Sequence, residues 1–226
     1  MSGLAKALLI LAAFALVAVM WWKLNYPTYA WNQKLTVTVS TPRGEVSGSS
    51  VVAVSWTKNF FSGGWGGAPF HLTMRGDATT VDLGGSQFLF AVLGYHGSKQ
   101  CTGLIALKLL GDEKLYWSTD SFKRVQAARG QGPITLPQQL YPVFLRFRDI
   151  KDRATVERVD PDDLAKSFGS GVRLVRVTIE ITDDPVTRGI RNVLPWLSRK
   201  SVGYLPVPMA PDLPLDDFNF IDVDTL

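Results

Sequence analysis

Residues 35–56 read LTVTVSTPRGEVSGSSVVAVSW, and this stretch decides the fold. Leu35, Val37 and Val39 alternate with Thr36, Thr38 and Ser40. A strict period of two places the apolar side chains on one face of a strand and the hydroxyls on the other. Pro42, Arg43 and Gly44 punctuate the run, and a valine-rich run over 51–56 returns after Ser47, Gly48, Ser49 and Ser50. The pattern predicts a long hairpin with a bulge at Gly48.

Downstream, residues 60–70 hold four glycines among Phe60, Phe61, Trp65 and Phe70, which reads as a pliable loop carrying large aromatic groups. Strand patterns follow at 70–74, 78–83 and 87–93. Gly76-Asp77 and Gly84-Gly85 separate them with turn chemistry, so the three strands read as a meander. Residues 101–110 and 121–129 suit helices closed by Gly111 and Gly130. A further strand is expected at 140–147, with Pro142 near its start.

The tetrad Asp160-Pro161-Asp162-Asp163 reads as a helix start, with Asp160 as cap, Pro161 in the first turn and acids complementing the dipole; Gly169 supplies the stop. Residues 172–181 form the strongest strand pattern, with Val175, Val177, Ile179 and Ile181 opposite Arg176, Thr178 and Glu180. A second capped element is expected from Asp184-Pro185 to Leu194, before Pro195. From Pro206 onward proline and aspartate dominate, and Leu213, Leu215, Phe218, Phe220 and Ile221 are too sparse to close a core alone. Such a tail drapes over the domain or binds elsewhere.

Upstream, residues 4–22 are apolar apart from Lys6. At about 1.5 Å per residue they span roughly 28 Å as a helix, close to the thickness of a bilayer core. Trp21, Trp22, Lys23 and Tyr26, followed by Tyr29 and Trp31, form an aromatic and basic cluster of the interfacial kind. A cleaved secretory signal needs a small-residue site after the apolar run. The small pairs Ala13/Ala15 and Ala15/Ala18 lie inside the run, which favours an uncleaved anchor. A short N-terminus held inside places the remainder outside the cytoplasm, in a bacterial periplasm.

The formal net charge of +4 is unevenly spread: residues 210–226 carry five aspartates and no base, leaving the rest near +9 by difference. A mildly basic body suits anionic headgroups or an acidic partner, and the lack of a concentrated basic helix disfavours nucleic acid. One cysteine, Cys101, provides no internal disulfide framework.

Catalytic constellations are weak. His96, Ser98 and Cys101 lie close in sequence, but a nucleophile pair needs proximity in space and a group that orients the imidazole. Ser55-Trp56-Thr57-Lys58 has Ser-x-x-Lys spacing, which requires a helix to bring lysine over serine, and here it ends a strand. Neither a nucleophile elbow, a phosphate-binding lysine loop, a dinucleotide fingerprint nor a His-Glu-x-x-His pair occurs. His71, His96, Cys101 and the carboxylates Glu180, Asp183 and Asp184 give no compact metal spacing. No cofactor or metal is expected. Two segments suit contact: Phe61 and Trp65 on the glycine loop, and Trp196 beside Arg199 and Lys200.

Residues 35–56, residues 76–93 (GDATTVDLGGSQFLFAVL) and residues 159–197, which include VDPDDLAKSFGSGVRLVRVTIEITDDPVTRGI and LPWL, resemble a group of uncharacterised proteobacterial proteins with an N-terminal apolar segment. The resemblance implies a bacterial origin and a one-domain, membrane-associated protein; it carries no activity and no site residue.

The reading is therefore an α+β protein: a transmembrane helix followed by a mainly antiparallel β domain with a few short helices. Its parts are an anchor (1–23), a juxtamembrane aromatic segment (24–34), a globular domain (35–205) and an acidic proline-rich tail (206–226). The expected role is a binding or scaffold protein of the bacterial inner membrane, single-pass and periplasmic, with lipid and another envelope protein as partners. An envelope hydrolase using His96 with Ser98 or Cys101 is the alternative.

Overall fold

The computed structural model describes residues 3–59, 69–94, 101–112, 117–197 and Phe220. The chain is α+β, with mostly antiparallel sheets and few helices. Two compact units divide it, one of Met1–Tyr29 with Trp56–His71 and one of Ala30–Ser55 with Leu72–Leu226.

In the first unit, helix α1 (Gly3–Asn25) has 23 residues and is apolar on every side. It is about 35 Å long, long and apolar enough to cross a membrane, and none of its apolar window from Leu8 to Asn25 is buried. Tyr26 N donates to Trp22 O and Asn25 Nδ2 to Trp21 O, which closes the last turn before Pro27. The first strand residues follow at once: Lys58 N donates to Pro27 O, the Thr28 and Thr57 hydroxyls lie 3.0 Å apart, and the Tyr29 and Phe70 rings meet edge-on at 6.4 Å.

Five strands form one sheet in the order β3-β2-β1-β9-β6: β1 (Thr28–Thr41), β2 (Gly44–Lys58), β3 (Phe70–Arg75), β6 (Ile134–Thr135) and β9 (Arg173–Thr182). The expected hairpin is present, turning at Pro42-Arg43. Strand β1 begins at Thr28 rather than Leu35, because the period of two extends backward: Trp31 and Gln33 are buried with Leu35, Val37 and Val39. Trp31, grouped above with the interfacial aromatics, is a core residue 3% exposed. Strand β9 pairs antiparallel with the central strand β1, Leu35 opposite Ile179 and Val37 opposite Val177. A register irregularity falls here: Thr38 faces Arg176 while Val39 faces Leu174. Val175 is thus the extra residue and only half-buried, while Val177, Ile179 and Ile181 reach the core.

Four strands form the second sheet in the order β4-β5-β7-β8: β4 (Thr79–Gly84), β5 (Gln87–Ala91), β7 (Phe144–Phe147) and β8 (Val156–Val159). Gly84-Gly85 does make the β4/β5 hairpin, with a register shift between Asp82 and Gly84. Gly76-Asp77 does not make a β3/β4 hairpin. The chain changes sheets there, so the expected meander over 70–93 is split between two sheets. Gly76 sits at φ +143°, and a Cβ on it would lie 2.8 Å from Val51 O. Gly48, set in β2, is a point of close approach: a Cβ there would overlap the Thr80 carbonyl. At each point a glycine, having no side chain, lets a second backbone come close.

Helices α2 (Thr102–Leu110) and α3 (Thr119–Ala127) lie between β5 and β6 in sequence. Residues Thr102 to Leu107 of α2 are all buried, whereas α3 buries one stripe, Ser121, Phe122 and Val125, as an amphipathic helix does. Short helix α4 (Leu164–Phe168) starts later than the sequence pattern implies. Its cap is Asp163, accepting from Lys166 N, while Asp160 closes a turn onto Asp162 N. The helix expected from Asp184 is absent: residues 183–189 are irregular and only a 3₁₀ turn, Ile190–Asn192, follows. Likewise the strand expected over 140–147 shortens to β7, preceded by a 3₁₀ turn at Gln138–Leu140.

Gly48→Ala is expected to destabilise the protein by about 1–3 kcal/mol, since the added methyl can be housed only by moving backbone. Urea unfolding of the full chain in detergent, read by tryptophan fluorescence, measures it. A midpoint equal to that of the unsubstituted protein would show that the β2 crossing is looser than described.

Candidate functional site

At the end of α1, the interfacial residues stand as a group. Trp21 and Trp22 are 55% and 53% exposed. Tyr26 lies 6.2 Å from the Trp21 ring and 4.6 Å from the Trp22 ring, so the three rings form a collar in the last helical turn. Lys23 in that turn complements the negative helix end. An apolar shaft closed by amphipathic rings and a cation suits the boundary between hydrocarbon and headgroups.

The second candidate region joins β4, β5, β7 and the segment 190–197. Phe90 of β5 stands opposite Leu145 of β7, and both are fully buried. Around them pack Phe147, Ile190, Leu194 and Leu197. Trp196 is half-buried: its indole N–H donates to Ile150 O at 2.9 Å, and its ring meets Phe147 edge-on at 5.2 Å. The residue suggested for headgroup contact is thus a core-edge group whose polar atom is satisfied inside the protein. Phe220, from the acidic tail, is completely buried in the same cluster, 5.8 Å from Phe90 and 5.9 Å from Phe147. Ala78 N donates to its carbonyl at 2.9 Å.

Next to Ala78 is Asp77, 5% exposed, whose Oδ2 accepts from Ile190 N at 3.0 Å. A buried carboxylate needs such a donor. Neither Asp77 nor Phe220 stood out in the sequence for this role: Gly76-Asp77 carries an ordinary turn signal, and Phe220 is far in sequence from the rest of the cluster, within the proline- and aspartate-rich stretch.

A shallow cleft of about 280 Å³ opens on the five-stranded sheet and is lined by Trp31, Asn32, Ser55, Arg75, Arg129 and Asp183, among others. Arg129 Nη1 pairs with Asp183 at 2.9 Å. Asp184 pairs with Lys34 at 3.1 Å and its carbonyl accepts from Asn32. These contacts engage both acids that the sequence placed near Glu180. Among the described residues no group of three or more histidines, cysteines or carboxylates is placed to hold a metal.

Phe61, Trp65, His96, Ser98, Arg199 and Lys200 lie outside the described residues. Cys101 is described and fully buried, its sulfur 3.9 Å from Met74 Sδ. Burial pushes its thiol up to about 11, against the opposing pull of the Gly103 and Leu104 amides and of Lys108. Near neutral pH it is a protonated core group, the reverse of an activated nucleophile. Ser55 and Lys58 lie three residues apart in β2, hence on opposite faces, so the Ser-x-x-Lys spacing has no catalytic geometry. No protein-family model matches the chain, and no curated protein or solved structure matches it.

Cys101 is expected to resist alkylation near pH 8 in the folded protein and to react after unfolding. Because its folded pKa is raised, its contribution to stability is fully present below the unfolded value near 9 and is lost as pH rises toward 11. Stability should therefore fall across that window, less steeply in Cys101→Ala. Rapid alkylation of native protein at pH 8 would contradict the buried, protonated assignment.

Proposed function

We propose that this chain is a noncatalytic binding or scaffold protein, anchored by α1 as a single pass in a bacterial inner membrane with its β-rich body on the periplasmic side. The observation that carries the reading is α1 itself. It offers apolar side chains in every direction, Phe14 72% and Leu16 70% exposed, and ends in the Trp21, Trp22, Lys23 and Tyr26 collar. A surface helix of a water-soluble protein buries one stripe; a helix with no polar face needs an apolar medium all round. The resemblance of residues 35–56, 76–93 and 159–197 to proteobacterial proteins supports the inner-membrane placement.

The binding reading draws on the body. Lys34, Arg129, Asp183 and Asp184 are engaged in ion pairs, the Cys101 thiol is buried, and Ser55 and Lys58 lie on opposite faces of β2. Membrane lipid at the collar and another envelope protein at Phe61 and Trp65 are the partners proposed. The hydrolase alternative gains nothing from a buried, protonated Cys101.

Full-length protein is expected to stay with the membrane after alkaline carbonate extraction and to lose that property when residues 3–25 are deleted. An alkaline phosphatase fused to the C-terminus should be active, and an inactive fusion of normal abundance would place the body in the cytoplasm. Mild crosslinking and purification from native membranes, with an anchor-only control, should recover a reproducible partner. Trp65→Ala should weaken its recovery at least about tenfold, as loss of a central aromatic contact does; undiminished recovery removes Trp65 from the interface.

A further inference from the structure

The outer face of the five-stranded sheet carries a trough. Trp31 and Val54 turn inward and are buried, so the alternation along β1 and β2 turns Asn32, Ala53 and Ser55 outward. Four adjacent strands contribute to the cleft of about 280 Å³: Arg75 ends β3, Ala53 lies in β2, Asn32 in β1, and Thr182 ends β9 directly opposite Asn32. Ala53 offers only a methyl between longer neighbours, which leaves the trough open. Its two ends differ in charge. At the β9 end Arg129 is paired with Asp183. Arg75 stands three strand spacings away, about 14 Å between backbones, and among the described residues it has no ion pair or hydrogen bond. Exposed charges are screened over roughly 8 Å, so the Arg129–Asp183 pair does not offset Arg75. Glu180 on the same face stands opposite Lys34, outside the lining. Between the ends the groups are neutral. Thr182 Oγ1 accepts from Asp184 N and keeps its own proton to donate, while the Asn32 amide donates to Asp184 O and keeps its oxygen to accept. Ser55 adds a hydroxyl with no partner among the described residues.

We propose that this trough binds a polyol phosphate, with the phosphate on Arg75 and the hydroxyls along Ser55, Asn32 and Thr182. A guanidinium fork matches two phosphate oxygens, and the uncharged floor offers donors together with an acceptor, the mixture that hydroxyl groups need. A volume of about 280 Å³ lies at the small end of ligand sites, so the occupant is the size of a headgroup. One charge-assisted contact with a few neutral hydrogen bonds on an open surface gives about millimolar affinity. The same chemistry comes from two sources, the headgroup of a glycerol phospholipid or a soluble glycerol phosphodiester. Only the first source rests on the membrane reading above, under which the lining residue Ala30 follows α1 in the chain after residues 26–29 alone.

The test uses the full chain in a polyoxyethylene detergent, which carries neither phosphate nor sugar. Glycerophosphoglycerol is titrated against it and the phosphorus resonance followed. Saturable broadening at about millimolar concentration is expected. Binding should weaken at least about tenfold in Arg75→Gln, and as much in Ala53→Leu, which fills the trough and leaves every charge in place. Arg75 is exposed, so its substitution keeps the fold and decides the matter even where Ala53→Leu does not fold. Inorganic phosphate should bind at least about fivefold more weakly than the diester, because it forgoes the hydroxyl contacts. Broadening that never saturates, that survives Arg75→Gln, or that falls equally in Arg173→Gln, an exposed control at the other end of β9, would overturn the proposal. Equal affinity for inorganic phosphate would do the same. The sources separate in vesicles of phosphatidylcholine with and without phosphatidylglycerol. A several-fold loss of affinity for the soluble probe in the presence of the anionic lipid identifies the headgroup as occupant, and no change identifies the soluble diester. Release of the protein by carbonate extraction would remove the lipid source alone, since probe binding in detergent does not depend on anchoring.

Discussion

The close passage of two backbones, where β2 meets the segment 76–80, is the constraint on which the larger unit depends. Gly48 lies against Thr80, and Gly76 against Val51 and Val52. The Ser50 and Thr79 hydroxyls, both buried, meet at 2.6 Å. At this passage the chain leaves the five-stranded sheet and enters the four-stranded one. Two otherwise remote parts of the chain attach to the same few residues: Thr187 exchanges hydrogen bonds with Val51 and Ile190 donates to Asp77, while Ala78 donates to Phe220. An unpaired carboxylate at Asp77 would cost several kcal/mol at this depth. The order of residues 184–197 is thereby coupled to the sheet crossing.

A second polar feature fixes the helical layer. Trp31 Nε1 donates to Gln33 Oε1, and Gln33 Nε2 donates to Thr102 O at the start of α2, with Gln33 only 1% exposed. Thr102 in turn holds the end of the β5 segment through Leu93 O and Val92 O. Apolar packing alone tolerates sliding, as between Trp31 and the Phe122 ring 6.5 Å away. A buried amide with both ends matched does not, because a one-residue slip of β1 would turn Gln33 to the other face and orphan the Thr102 carbonyl. The relay therefore specifies register as well as contributing stability.

What was legible in the sequence follows from which information is local. The alternation in β1 and β9 survives in the structure because one buried face imposes a period of two. Extending it backward from Leu35 reaches Gln33 and Trp31, so the core role of Trp31 was readable and was obscured by its nearness to the aromatic collar. The identity of a strand's partner is not local: Gly76-Asp77 has the same turn chemistry whether the chain folds back or crosses to another sheet. Asp184-Pro185 is likewise a sound helix start until Lys34, Asn32 and Arg129 engage residues 183 and 184 and Asp77 takes the Ile190 amide. Short β6 and β8 have almost no periodicity and exist through β9 and β7. The grouping of Trp21, Trp22 and Tyr26 is local and so was readable, whereas the bond of Trp196 to Ile150 and the burial of Phe220 depend on long-range contacts that composition cannot express.

The two ends of the chain pose opposite physical problems. At one end α1 carries more apolar surface than any fold of this size leaves in water, and the proposed bilayer resolves it without help from the body. At the other end Phe220 enters the core from a stretch whose five aspartates favour water. Its ring is buried against Phe90 and Phe147 and its carbonyl accepts from Ala78 N, so this position belongs to the core beside the crossing at Gly48 and Gly76.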